Sequence, residues 1–171
     1  MLNFDQGHSA YISLGSNLGD RVGILLDALN AIACLPQTDL VSVSSWYETE
    51  AVGGVADQDF INAACHIRTN LSPTDLMNAL LEIESSLGRE RREKWGNRTC
   101  DLDIMLYDDL VSDDPHCRLP HPGLTERKFM LTPLVEIAPD VIIPKIGLKT
   151  QDIERSLPNS HSIKRFFEKD A

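Results

Sequence analysis

A chain of 171 residues, 42% hydrophobic and 25% charged, has the size and composition of one globular domain that buries its core without disulfide or metal staples. Its formal net charge of -10 opposes non-specific binding to nucleic acid or an anionic membrane, so any anionic substrate has to be met by a local basic cluster. No apolar run approaches a membrane span, the amino end MLNFDQGHSA lacks the parts of a secretion signal, and Cys34, Cys65, Cys100 and Cys117 show no CxxC or zinc-finger spacing, which predicts a cytoplasmic protein with reduced thiols.

Residues 10–14, AYISL, predict a short strand ended by Gly15-Ser16-Asn17, with Gly15 and Gly19 shaping the turn into a helix. Asp20 caps that helix, and Val22, Leu25, Leu26, Leu29, Ile32 and Ala33 recur at helical spacing until Pro36 stops it. Residues 40–48 alternate as one strand, and a loop around Gly53-Gly54 follows. In 60–68, FINAACHIR, Ile61, Ala63, Cys65 and Ile67 face one way while Phe60, Asn62, His66 and Arg68 face the other. Ser72, Pro73 and Asp75 mark the start of a second helix, with Leu76, Leu80, Ile83 and Leu87 as its apolar stripe and Gly88 as its end. Residues 99–107, TCDLDIMLY, predict a strand with Leu102, Ile104 and Leu106 on one face and Asp101 and Asp103 on the opposite one. FMLTPLVEIAPD reads as a short helical segment around Pro133, and 151–168 as one or two short terminal helices.

The order up to residue 107 is β-α-β-β-α-β, the ferredoxin-like pattern of the α+β class. It predicts an antiparallel sheet with both helices on one face, followed by extra short elements, in a single domain over 1–171 (core about 9–157, tail 158–171). The opposite sheet face is then left for a ligand, although such a fold names no activity by itself.

Two carboxylates at i and i+2 of a strand, Asp101 and Asp103, leave from the same face and repel one another where water is scarce. Mg²⁺ relieves that repulsion and completes its shell with phosphate and water oxygens. A D-x-D alone is also what a solvated strand edge carries. The stretch 89–98, RERREKWGNR, holds four arginines and one lysine against two glutamates, a local charge of +3. Guanidinium forks suit phosphate oxygens and Trp95 offers a plane for adenine, though a salt-bridged turn would look the same. This basic stretch runs directly into the acidic strand, and a magnesium polyphosphate needs both signs close together. Phe60 and Asn62 share a face and could stack on a flat heterocycle and bond its edge, or serve as an aromatic core residue beside a structural Asn. His121 and Arg127 are further candidates for phosphate contact. GSNLGD at 15–20 is no P-loop, because it lacks the closing Gly-Lys-Ser/Thr.

Several segments, in order and at matching spacing, resemble the 6-hydroxymethyl-7,8-dihydropterin pyrophosphokinase family of folate biosynthesis. They are GSNLGDR (15–21), SSWYETEAVGG (44–54), DFINAA (59–64), IE (83–84) with GRER (88–91), WGNRTCDLDIMLYD (95–108) and PHPGLTERKFMLTPLVEIAPD (120–140). The resemblance implies ATP as donor, transfer of its β,γ-pyrophosphoryl group to the pterin hydroxymethyl group, and AMP as the second product. It implies two Mg²⁺ ions on Asp101 and Asp103, which act in catalysis with Arg89 and Arg98. Glu84, Arg91, Trp95, Arg98, Ile104, His121 and Arg127 would serve the nucleotide. Phe60 and Phe129 would sandwich the pterin, with Asn62 and the chain around Thr49 and Val52 reading its edge. Loops 49–58 and 89–98 would exclude water, and the protein would act as a monomer on small molecules, with no nucleic-acid or membrane partner. Ala51 and Asn97 stand where the family has proline, Leu81 where a polar residue is common, and Phe60 where tyrosine also occurs. Two other readings stand beside this one. A non-catalytic ligand-binding module or decayed paralogue has no reason to keep DLD opposite an arginine loop. A metal-dependent nuclease or nucleotidyl transferase is opposed by the net charge.

Overall fold

The computed structural model describes residues 7–50, 58–88, 99–158 and 163–167. Val52, Arg89, Arg91, Trp95 and Arg98, together with Ala51, Asn97 and most of both expected water-excluding loops, lie outside the described residues.

The chain begins with β1 (His8–Ser16), α1 (Arg21–Ala33), β2 (Thr38–Val43), β3 (Tyr47–Thr49), β4 (Phe60–Thr69), α2 (Pro73–Ser86) and β5 (Asp101–Tyr107). Then come α3 (Lys128–Ile137), α4 (Thr150–Ser156) and β6 (Ile163–Arg165). The helix starts obey their capping chemistry: Asp20 accepts from Gly23 N–H, Ser72 accepts from Asp75 N–H, and Pro73 takes the first turn of α2. Every pairing is antiparallel, and the strand order is β5-β1-β4-β3-β6, with β2 joined to the same partner, β4, as β3. The result is a mixed α/β protein with one antiparallel sheet and four helices among the described residues.

Alternation along the strands separates two cores. On one side Ala10, Ile12, Leu14, Ile61, Cys65, Ile67, Leu102 and Ile104 pack with Leu25, Leu29 and Ile32 of α1 and Leu76 and Leu80 of α2. On the other, Ala64, Met105 and Leu106 pack with Met130, Leu131 and Leu134 of α3 and Ile153 of α4. α1 and α2 thus share one face, as the sequence suggested, but the opposite face is not left free along its whole length. α3 and α4 cover the far side where its residues are apolar, leaving for a ligand the end that carries Gly15, Phe60, Asn62 and Asp101.

Three local expectations are corrected. Residues 40–48 form two strands, because Ser44 interrupts the ladder: its N–H donates to Ala64 O and its hydroxyl accepts from Ala64 N–H, both at 2.9 Å. Leu106 does not share a side with Leu102 and Ile104. Tyr11 pairs with Leu106 but Ile12 pairs with Ile104, so Met105 is an inserted bulge residue that turns Leu106 into the second core. Among the described residues the terminal stretch holds one helix, α4, and then a strand in place of further helix: β6 pairs with β3 through Tyr47↔Arg165, Glu48↔Lys164 and Thr49↔Ile163.

The break between β2 and β3 is bolted to α3 by Glu136. Its carboxylate accepts from Ser45 N–H, from Ser45 Oγ at 2.8 Å and from Tyr47 OH at 2.6 Å, with Arg165 Nη2 at 3.9 Å. Burial pushes the Glu136 carboxyl up, but these bonds and the Arg165 charge outweigh it and hold the group below its ordinary range. A carboxyl depressed in the folded state stabilises the fold above its unfolded pKa, and that contribution is lost as pH falls through the folded value. The Tm difference between the wild type and Glu136→Gln should therefore be full at neutral pH and shrink below about pH 4. A difference that stays constant from neutral pH to pH 3 in thermal unfolding would contradict this account.

Candidate active site

The open end of the sheet brings three strands into one row. Gly15 of β1 pairs with Asn62 of β4 on one side and with Asp101 of β5 on the other, and the next row joins Ala64, Ser13 and Asp103. Gly15 is therefore a mid-sheet residue and not part of the turn, which is taken by Gly19 at φ +70°. A Cβ on Gly15 would lie 2.8 Å from Asn62 Oδ1 and 3.8 Å from Phe60 Cδ1. The missing side chain leaves a flat floor beside both residues.

Asn62 is buried, and its Nδ2 donates to Thr49 Oγ1 at 2.7 Å. With the amide nitrogen committed, Oδ1 is the acceptor turned towards that floor. Thr49 pairs across the sheet with Phe60, whose ring is half-buried. Phe129 stands in the first turn of α3 on the same side of the sheet, packed against the second core. The Arg127 guanidinium lies 5.9 Å from the centre of its ring. Thr49, Phe60 and Asn62 are thus gathered at one end of the face that Phe129 and α3 also cover.

Asp101 and Asp103 leave β5 on that same face, and both are half-buried. From behind, Glu84 of α2, 2% exposed, accepts the Leu102 backbone N–H at 2.7 Å, between the two aspartates. β5 ends the strand order, so a carboxylate here satisfies an outward backbone donor and fixes the strand's position. Glu84 stands on the helix side, one layer behind the aspartates.

A cleft of about 190 Å³ opens along this edge, lined among others by Met77, Asp103, Ile104, Cys117, Arg118 and His121. His121 Nδ1 accepts from Gly123 N–H at 3.0 Å, so the neutral ring carries its proton on Nε2, 4.0 Å from Asp103 Oδ1. Burial lowers the His121 pKa, the Asp103 charge pulls it up, and the Arg127 charge lowers it again; the net direction is down. A neutral N–H donor therefore faces the acidic strand, with a guanidinium close by. Among the described residues, no group of three or more His, Cys, Asp or Glu side chains is arranged to hold a metal ion.

Sequence reasoning identified Asp103, Ile104 and His121 but missed the other cleft walls. Met77 of α2 is partly buried at the margin of the first core, and His116, Cys117 and Arg118 sit in an aperiodic stretch. His116 Nε2 bonds Asn78 Oδ1 at 2.8 Å, which ties that stretch to α2 and closes the cleft. No motif signals a contact made across 38 residues of chain.

An antiparallel sheet with a polar row beside an acidic edge and a cleft has the form of a small-molecule binding site at one end of the sheet. The family model described as 7,8-dihydro-6-hydroxymethylpterin-pyrophosphokinase (HPPK) matches residues 11–139, and the chain belongs to this family. It is 40% identical over 147 residues to the 2-amino-4-hydroxy-6-hydroxymethyldihydropteridine pyrophosphokinase of Haemophilus influenzae, covering 86% of this chain and 92% of that protein. It is 42% identical over 132 residues to the same-named protein of Bacillus subtilis, covering 77% and 79%. Among solved structures, Plasmodium falciparum HPPK-DHPS with pterin and p-hydroxybenzoate is similar in fold, with TM-score 0.69 at 14% identity. That likeness covers 91% of this chain but only 42% of the Plasmodium one.

Proposed function

We propose that the protein transfers the β,γ-pyrophosphoryl group of ATP to the hydroxymethyl group of 6-hydroxymethyl-7,8-dihydropterin, releasing AMP and the pterin diphosphate. Family membership supports the reaction, and the row Asn62–Gly15–Asp101 carries the assignment of the site, because it sets a flat-ring floor next to a pair of carboxylates on one rigid sheet. We read the chain as one ferredoxin-like domain acting as a cytoplasmic monomer on small molecules. The strand order β5-β1-β4-β2 and four free cysteines accord with this.

In this reading the pterin stacks between Phe60 and Phe129. Asn62 Oδ1 accepts from the ring's amino and amide edge, while Thr49 keeps the carboxamide from rotating. Val52 is assigned to the same edge. The nucleotide base enters the cleft against Met77, Ile104 and Cys117, and His121 Nε2–H and Arg127 reach its phosphates, with Arg89, Arg91, Trp95 and Arg98 assigned to the same ligand. Glu84 serves the nucleotide side by holding β5 in place.

Asp101 and Asp103 suit two Mg²⁺ ions. They are hard oxygen donors on one face, half-exposed, and too few to cage a metal, so they leave coordination positions for phosphate and water. When bound, the ions neutralise triphosphate charge and acidify the attacking hydroxyl. The protein's share of the work is alignment: acceptor oxygen, β-phosphorus and AMP leaving oxygen must lie in line, and water must be kept away.

Incubation with ATP, Mg²⁺ and 6-hydroxymethyl-7,8-dihydropterin should release one AMP for each pterin diphosphate formed. Appearance of ADP, or AMP release that ignores the pterin, would contradict the proposal.

A further inference from the structure

The GSNLGDR stretch does more than turn the chain from β1 into α1. Arg21, the first residue of α1, uses one guanidinium nitrogen to donate to Glu48 Oε2 at 2.9 Å and to the Asp59 carbonyl at 2.8 Å. Its guanidinium carbon also lies 5.5 Å from the centre of the Phe166 ring. Asn17, fully buried, donates its side-chain amide to the Gln58 carbonyl at 3.3 Å. Glu48 belongs to β3, while Gln58 and Asp59 lead into β4. The two side chains therefore grip both strands within a residue or two of Thr49 and Phe60.

β3 needs such a grip. It has three residues, and its ladder to β4 consists of Tyr47↔Asn62, Glu48↔Ile61 and Thr49↔Phe60. A strand this short is weakly held by its own pairing. The ion pair is well shielded, with side chains only 18% and 22% exposed, so salt and water weaken it less than a surface pair. Glu48 stands opposite Ile61, whose side chain is in the core under α1 and α2. The clamp accordingly works from behind the sheet, on the side away from Asn62 and Phe60.

We propose that Arg21 and Asn17 are positioning residues that hold Thr49 in register with Phe60 and thereby set the affinity for the flat ring, without touching it. The inference rests on the ring-binding role given above to Thr49, Phe60 and Asn62. It separates the two substrates, because the cleft beside Asp103 is built from α2, β5 and residues 115–122, whereas the clamp's bonds described above run to Glu48 of β3 and to Gln58 and Asp59 before β4.

The test uses the full chain as wild type, Arg21→Ala, Arg21→Lys and Asn17→Ala, with AMP release measured while each substrate is varied in turn. Arg21→Ala should raise the KM for the dihydropterin about tenfold and Asn17→Ala by a smaller factor, with the KM for ATP within about twofold of wild type. Arg21→Lys should recover most of the loss, because a single nitrogen makes both polar contacts and an ammonium can replace it. An unchanged pterin KM in Arg21→Ala and Asn17→Ala, an equal rise in both KM values, or a lysine variant no better than alanine would each overturn the proposal. If Arg21→Ala does not fold, Glu48→Gln takes its place, with the same rise expected and its absence equally decisive. A wild type that never turns over the pterin defeats the proposed function itself, whereas an active wild type with indifferent variants defeats only the clamp.

Discussion

Asp101→Asn and Asp103→Asn should each lower turnover on the order of a thousandfold while leaving the fold and its Tm nearly unchanged. Both carboxylates are half-buried on the open end of the sheet, whereas the strand's stability comes from buried Leu102, Ile104, Met105 and Leu106 and from the Glu84 bond behind it. Asparagine keeps the shape and the strand geometry but removes one negative charge and weakens the donor set for a hard cation. The loss should fall on kcat more than on the KM for the pterin, because the ring is held by residues of β3, β4 and α3. Single-turnover assays with saturating ATP and pterin check this. Near-normal turnover in both variants would refute the assignment of metal to these two residues.

Gly15→Ala should abolish productive pterin binding at ordinary concentrations, raising its KM about thirtyfold or more. That corresponds to about 2 kcal/mol of overpacking. The added methyl would meet Asn62 Oδ1 at 2.8 Å, and Asn62 is 3% exposed and tied to Thr49, so the carboxamide can move only by breaking that bond. The methyl would also occupy part of the floor beside Phe60. Nucleotide affinity should change much less, because the cleft is built from β5 together with α2 and residues 115–122, while Gly15 sits one strand away on β1. Titration of the variant with each ligand separately checks the contrast. A pterin affinity within threefold of wild type would show that the row does not form the ring site.

The elements that depend on local chemistry were legible in the sequence. Asp20 and Ser72 cap the helices they were expected to cap, the alternation in 60–68 sorts β4 into its two faces, and α3 runs through Pro133. What was not legible depends on partners far along the chain. Ser44 breaks a strand because Ala64 is opposite it, and Met105 is a bulge only relative to Tyr11 and Ile12. The terminal strand exists because β3 offers it an edge. For the site, the acidic pair and the Phe60–Asn62 face were readable from period-two spacing alone. The role of Gly15 was not, since a glycine before Ser-Asn looks like a turn until its cross-strand neighbours are known. Met77, His116, Cys117 and Arg118 carry no pattern at all.

The extra residue at Met105 also acts as a phase shifter for the whole edge of the molecule. It lets a single seven-residue strand serve two masters: the leading half exposes its acids towards solvent, and the trailing half seals hydrocarbon beneath α3. Pairing all seven residues without the bulge, while α3 keeps its hold on the trailing half, would set Met105 opposite Ile12 and invert the leading half, driving both acids inward beneath the helices and Leu102 and Ile104 onto the opposite face. Chemistry at one end of the strand thus depends on a spacing error kept at the other.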